Sequence, residues 1–181
     1  MKFTETPLPG AFIIELEKRG DERGWFARAF CEREYQQHGL AHHIVQANNS
    51  FSAIAGTLRG MHYQLAPKAE DKIFRCIRGV IFDAIIDLRP DSPTYLKSFT
   101  IELTAENQTS LYISKGFAHG FMTLVPDTEV YYLVTEFYSP EHERGIRYND
   151  PKFGIRWPMA PAVISDKDRS LRDFSAETHL Q

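Results

Sequence analysis

Arg59, His62 and Lys72 fall within fourteen residues of one another, inside the stretch GTLRGMHYQLAPKAEDKIFRCIRGVIFDAIIDLR (Gly56–Arg89). Histidine exchanges a proton near neutral pH. Arginine grips a phosphate through paired N–H groups, and lysine brings a point charge that can steady a developing oxyanion. Together they suggest proton abstraction on a substrate that carries phosphate. The competing reading is of three polar residues on the faces of a sheet. In a regular strand Arg59 and His62 would face opposite sides, because three positions separate them. A bulge or kink at Gly60 would bring them to one side.

A base that works without metal needs an orienting acid, and Asp83 and Asp168 are the candidates. A carboxylate bonded to imidazole fixes its tautomer and raises its basicity. A proton donor must face the base, and Tyr132 could serve if it points inward. Metal ligation needs three or more convergent ligands. His62 and His119 both lie near strand-forming residues, but the sequence has no His-x-His pair and no glutamate shortly after His62. No metal is therefore expected. No Gly-rich phosphate loop and no GxSxG elbow occurs either.

The elements that must carry these groups read as strands. From Val80 to Leu88 one face is Val80, Phe82, Ala84, Ile86, Leu88 and the other Ile81, Asp83, Ile85, Asp87. That is period two. Phe99, Ile101 and Leu103 alternate likewise, as do Val130, Tyr132 and Val134. Tyr132 should then point inward, and Asp83 should be buried and require a partner. Short strands punctuated by turns at Arg78-Gly79, Arg89-Pro90-Asp91-Ser92-Pro93 and Val125-Pro126-Asp127 argue for an all-β antiparallel sandwich or barrel. Short helices are expected at Glu32–His38 and near Lys167–Phe174.

A chain of 181 residues fits one domain, residues 1–181. Its net charge of -3 and lack of a basic block argue against a nucleic-acid partner. No run is long enough to span a membrane, and no signal peptide is apparent. Cys31 and Cys76 are isolated, which fits a reducing cytoplasm.

The ordered set LRGMHYQ, Lys72, RGVIFDAIIDLRPDSPTY, LTAENQTSLYISKGFAHGF, Tyr132 and YSPEHERGIRYNDPKFGIRWP, with DERGWF before and ISDKD after, resembles the dTDP-4-dehydrorhamnose 3,5-epimerase family. The resemblance covers about Asp21 to Asp168. It implies a cupin-type jelly roll, a homodimer, no metal or cofactor, and a nucleotide-linked 4-keto-6-deoxyhexose as substrate. By position, His62 resembles the catalytic base, Asp168 its dyad partner and Tyr132 the general acid. His119 with Asp83 resembles a second His–Asp pair, and Lys72 the residue that steadies the enolate. Arg59 and Arg23 resemble diphosphate contacts. Phe26 and Tyr138 match aromatic positions around base and sugar, and Gln46 and Asn48 lie in a polar binding segment. Two positions depart from the family pattern: Arg28 stands where many relatives have glutamate near the nucleotide base, and Leu133 where many have lysine. The first departure bears on nucleotide choice. Two alternatives stand beside the double epimerase: an enzyme that inverts only C3 or C5, and a binding protein that has lost catalysis.

Overall fold

The computed structural model describes residues 1–180. The chain begins with β1 (Lys2–Glu5), β2 (Ala11–Glu15), a hairpin of β3 (Arg19–Asp21) and β4 (Gly24–Phe26), and α1 (Glu32–Gln37). There follow β5 (Gln46–Ser52), β6 (Thr57–Gln64), β7 (Lys72–Arg78), β8 (Val80–Asp87), β9 (Ser98–Thr104), β10 (Ser110–Ile113), β11 (Phe117–Thr123) and β12 (Thr128–Val134). The C-terminal part holds β13 (Glu143–Gly145), a 3-10 turn at Pro151–Phe153, β14 (Val163–Ile164), α2 (Asp166–Arg169) and α3 (Ala176–His179).

Two sheets pack face to face. One has the order β1-β2-β10-β7-β12-β5, the other β13-β6-β11-β8-β9, with β14 parallel beside β6. This is the all-β antiparallel sandwich with short flanking helices that the alternation predicts. The core between the sheets draws Phe74, Cys76, Leu111, Ile113 and Val130 from the first, and Ile81, Ile85, Leu103, Phe117 and Phe121 from the second. Apolar area removed from water on both inner faces is the main force holding the layers together. Asp83 shares the inner face of β8 with Ile81 and Ile85 and is fully buried. The other face of β8 is buried too: Ala84, Ile86 and Leu88 pack with Phe153 and Phe174 from the C-terminal segment. On the far side, α1 and the following loop cover the outer face of the first sheet through Tyr35 and Leu40.

The C-terminal helix is shorter than the sequence suggests, stopping at Arg169 rather than Phe174. Tertiary bonds compete for the backbone beyond it. Arg172 C=O accepts from Arg147 N–H at 2.9 Å, and Phe174 N–H donates to Asp150 Oδ2 at 2.7 Å. Docking Phe174 into the outer core outweighs another helical turn.

The irregularity at Gly60 is present. Along β6 and β11, His62 faces His119, but Arg59 faces Phe121, so Gly60 and Met61 stand opposite Gly120 alone. This is a bulge with two residues against one. Gly60 has φ +124°, and a Cβ there would come 2.5 Å from Gly120 Cα and 2.8 Å from His119 O. Only glycine meets both demands. Gly60→Ala should therefore lose roughly 2–4 kcal/mol of stability, since neither the backbone contact nor the φ can relax cheaply. Urea unfolding checks this, and a variant as stable as the parent would show that the strand shifts without loss.

Candidate active site

The bulge sets the direction of His62. Because β6 gains one residue, Arg59 and His62 open into the same cleft, which the second sheet lines with His119, Gly120 and Phe121. His62 Nε2 lies 2.7 Å from Asp168 Oδ1, and Gly60 N–H, freed from the ladder, donates to Asp168 Oδ2 at 3.2 Å. Asp168 is held in turn by its own helix. Ser165 caps α2, its Oγ accepting from Asp168 N–H at 3.1 Å. Burial pushes the Asp168 carboxyl up, but the bonds and charge from His62, with the Gly60 and Ser165 bonds, outweigh it and hold the group below its usual value. An ionised carboxylate can only accept, so the His62 Nε2 that faces Asp168 carries a proton, and Nδ1 is the atom left to accept one in the neutral ring. Beside it His119 Nε2 lies 2.9 Å from the buried Asp83 Oδ2. The edge of Phe74 rests on the His119 ring.

The opposite wall belongs to the first sheet. Tyr132 on β12 lies on the inner face between Val130 and Val134, and its ring stacks on Phe74 at 5.2 Å. Burial and the nearby Glu70 charge push its phenol up, and Arg59 only partly offsets them. The phenol therefore stays protonated through the neutral range and can donate. Lys72, at the start of β7 on the same sheet, also lines the cleft, with its Nζ 3.0 Å from Glu70 Oε1.

The cleft has two lobes of about 450 Å³ each, joined at His62, Lys72 and Tyr132. Arg59 lines the first, and Gln46, Asn48 and Tyr138 line the second. That volume suits a ligand of drug size or a little larger. Three residues there were not singled out from sequence: Glu70, Glu143 and Lys167. Glu143 Oε2 accepts from Lys167 Nζ at 2.6 Å and from Tyr138 Oη at 2.7 Å. Burial raises the Glu143 carboxyl, but those bonds and the Lys167 charge, with a smaller contribution from His62, bring it below its usual value. The available signals were the Ser165-x-x-Asp168 capping pattern, which sets α2 and so Lys167 beside Asp168, and the charges in Glu141-His142-Glu143-Arg144.

Three expected substrate contacts do not reach this cleft within the chain. Arg23 and Phe26 lie on the β3–β4 hairpin, which pairs only with itself, and Arg28 lies just beyond it. Arg23 pairs with Asp21, Arg28 lies 4.0 Å from Glu34, and Phe26 and Trp25 are 66% and 48% exposed. A short hairpin with no sheet to join cannot fold its aromatics inward. Among the described residues, no group of three His, Cys, Asp or Glu side chains is arranged to hold a metal, and no helix is long and apolar enough to cross a membrane.

An antiparallel sandwich whose cleft sets a His–Asp dyad against a phenol, with a lysine on the phenol's sheet, defines a cupin-like enzyme of proton transfer at carbon. Comparison with known proteins narrows this. Residues 5–176 match the family model for dTDP-4-dehydrorhamnose 3,5-epimerase. A relative of that name from Sinorhizobium fredii is 45% identical over 94% of this chain and 88% of its own. The Bacillus anthracis dTDP-4-dehydrorhamnose 3,5-epimerase, solved with TDP and PPi bound, superposes with a TM-score of 0.92 at 43% identity, covering 96% of this chain and 99% of that one. The Legionella pneumophila enzyme, solved with dTDP-4-keto-L-rhamnose, gives 0.91 at 35% identity over 99% and 97%. The chain belongs to the dTDP-4-dehydrorhamnose 3,5-epimerase family.

Asp168→Asn provides a test of the dyad. The two carboxylate oxygens serve two donors, and an amide has one oxygen, so one bond must fail. If the amide oxygen stays on Gly60 N–H, the amide NH2 faces Nε2 and forces the proton onto Nδ1. Turnover should fall by about 10²–10⁴-fold. The pH effect has a definite sign. The folded carboxyl lies below the ordinary value of about 3.9. Its contribution to stability is therefore complete above that value and is lost only as pH falls through the folded one. The variant should show a smaller loss of urea resistance below about pH 4 than the parent. Full turnover with an unchanged acid profile would remove Asp168 from the dyad.

Proposed function

We propose that the chain, folded as a single domain, epimerises a 4-keto-6-deoxyhexose linked to a thymidine diphosphate, with His62 as base and Tyr132 as acid. The observation that carries this reading is the opposition of the two walls: His62 of the dyad on one sheet, and the protonated phenol and Lys72 on the other, all lining one cleft. A ketone at C4 acidifies the C–H bonds at C3 and C5, because the carbanion delocalises onto oxygen. His62 Nδ1 takes the proton from C3, and the bonding pair becomes the C3=C4 double bond of an enolate. The Lys72 ammonium faces the enolate oxygen and lowers the energy of that charge. Tyr132 delivers its proton to the other face of C3, the C4 carbonyl re-forms, and the carbon is inverted. The tyrosinate regains a proton and His62 loses one through solvent, so the enzyme returns to its starting state. The same steps at C5 complete the double epimerisation. His119, backed by Asp83, offers a further donor beside the sugar. Arg59 is suited to the diphosphate, and Gln46, Asn48 and Tyr138 to the polar and aromatic surfaces of the ligand.

Incubation with dTDP-4-keto-6-deoxyglucose in D2O is the direct test. The sugar should gain two deuterons, at C3 and C5 by NMR. His62→Ala should abolish exchange while remaining folded. Tyr132→Phe should keep some wash-in but yield little inverted sugar. A single exchanged carbon would make the protein a mono-epimerase, and none would leave only a binding protein.

The hairpin belongs to the same reading. Arg23, Phe26 and Arg28 match substrate-contact positions of the family, yet stand outside this chain's own cleft. A symmetric dimer reconciles the two if each hairpin reaches the cleft of the other copy. Exposed Phe26 and Trp25 are the kind of surface such a contact covers. Arg28 has only donors and would meet a base carbonyl or the diphosphate rather than a base N–H, which weakens the preference for thymidine. Mixing two inactive variants tests the exchange. Arg23→Ala spoils only the hairpin, and His62→Ala only the cleft. Unfolding and refolding them together should recover about a quarter of parental activity, because half the dimers are mixed and each holds one complete site. Recovery of none would place both residues in one chain's site.

A further inference from the structure

Glu70 has no role in the steps above, and from sequence it reads as part of a polar loop between Ala69 and Asp71. Its carboxylate nonetheless belongs to the cleft. The Glu70 and Lys72 side chains keep only 12% and 14% of their exposure, and Oε1 lies 3.0 Å from Nζ. Glu70 lines the second lobe with His62 and Tyr132. Charges this far from water persist only in good mutual geometry, and removing one strands the other.

We propose that Glu70 is a positioning residue of the epimerisation, seating the Lys72 ammonium between base and acid where the enolate oxygen forms. The inference rests on the function assigned above. Lysine has a flexible four-carbon stem and three rotatable donors, so its place is set by what it bonds. The other carboxylates of the cleft are engaged elsewhere: Asp168 by His62 and Gly60, Asp83 by His119, Glu143 by Lys167 and Tyr138. The remaining charged or titratable groups around Lys72 are Arg59 on β6, His119 on β11, Tyr132 on β12, Lys167 on α2, and Tyr63 and Tyr138 in the second lobe, and none of these can anchor an ammonium as an anion does. The same carboxylate charge reaches Tyr132, where it adds to burial in keeping the phenol protonated.

Glu70→Gln keeps the shape and removes the charge; Glu70→Asp keeps the charge on a shorter arm. The Gln variant should lower kcat about tenfold with KM within about twofold, less than the hundredfold or more expected on deleting an oxyanion donor itself. The Asp variant should recover part of the loss. In the Gln variant the phenolate absorbance that Tyr132→Phe abolishes should appear at lower pH. Without substrate, labelling of Lys72 by acetic anhydride, followed by mass spectrometry, should rise in the Gln variant as the amine leaves its partner. Parental kcat in Glu70→Gln overturns the proposal. Parental labelling overturns it as well, and this readout holds even if the wild type exchanges no deuterium, the result that would defeat the function assigned above rather than the role of Glu70.

Discussion

The site depends on one close crossing of backbones. Gly60 and Gly120 approach so nearly that neither position has room for a side chain, and the extra residue this places in β6 changes which way the strand faces. The bulge turns Arg59 and His62 to the same side and releases the Gly60 N–H from the ladder. That N–H then holds one oxygen of Asp168 while His62 holds the other. A single irregularity thus places His62, proposed as the base, and Arg59, proposed for the diphosphate, on one side, and supplies one of the two bonds that hold Asp168.

The sandwich supplies the opposition. Inverting a carbon requires a base and an acid on opposite faces of the sugar ring, and two packed sheets provide facing walls about 10 Å apart. His62 and His119 stand on one sheet; Tyr132, Lys72, Gln46 and Asn48 stand on the other. The same inner faces that bury Phe74, Ile85 and Phe121 at one end open into the cleft at the other. Rigid strands, not loops, therefore carry the groups proposed to react, His62, Tyr132 and Lys72, which favours the tight placement that proton transfer between fixed partners needs.

Electrostatics in the cleft is arranged in pairs. Asp168 answers His62, Asp83 answers His119, Glu70 answers Lys72, and Glu143 answers Lys167. Each cation or imidazole is held by a carboxylate partly or wholly removed from water. Such pairs contribute little net stability, since desolvation offsets most of the attraction. Their effect is to fix the direction of each group before substrate arrives, which is where preorganised charge lowers a barrier.

Much of this was legible in the residues alone. Period-two alternation gave β8, β9 and β12, put Tyr132 inward and buried Asp83, because strand side chains must alternate between faces whatever the fold around them. The three-residue spacing of Arg59 and His62 required an irregularity, and glycine between them said where it would fall. Other features had no local signal. The helix near Asp168 ends early because Arg172 and Phe174 bond to residues distant in sequence. Glu70 looks like loop filler until the β6–β7 connection folds it against Lys72, and Glu143 joins Lys167 only because β13 pairs with β6. The placement of the β3–β4 hairpin away from its own cleft was equally invisible. Local sequence dictates the faces of a strand because the period is built into the backbone; which faces meet, and which charges are left with one another, is decided only when distant strands pack.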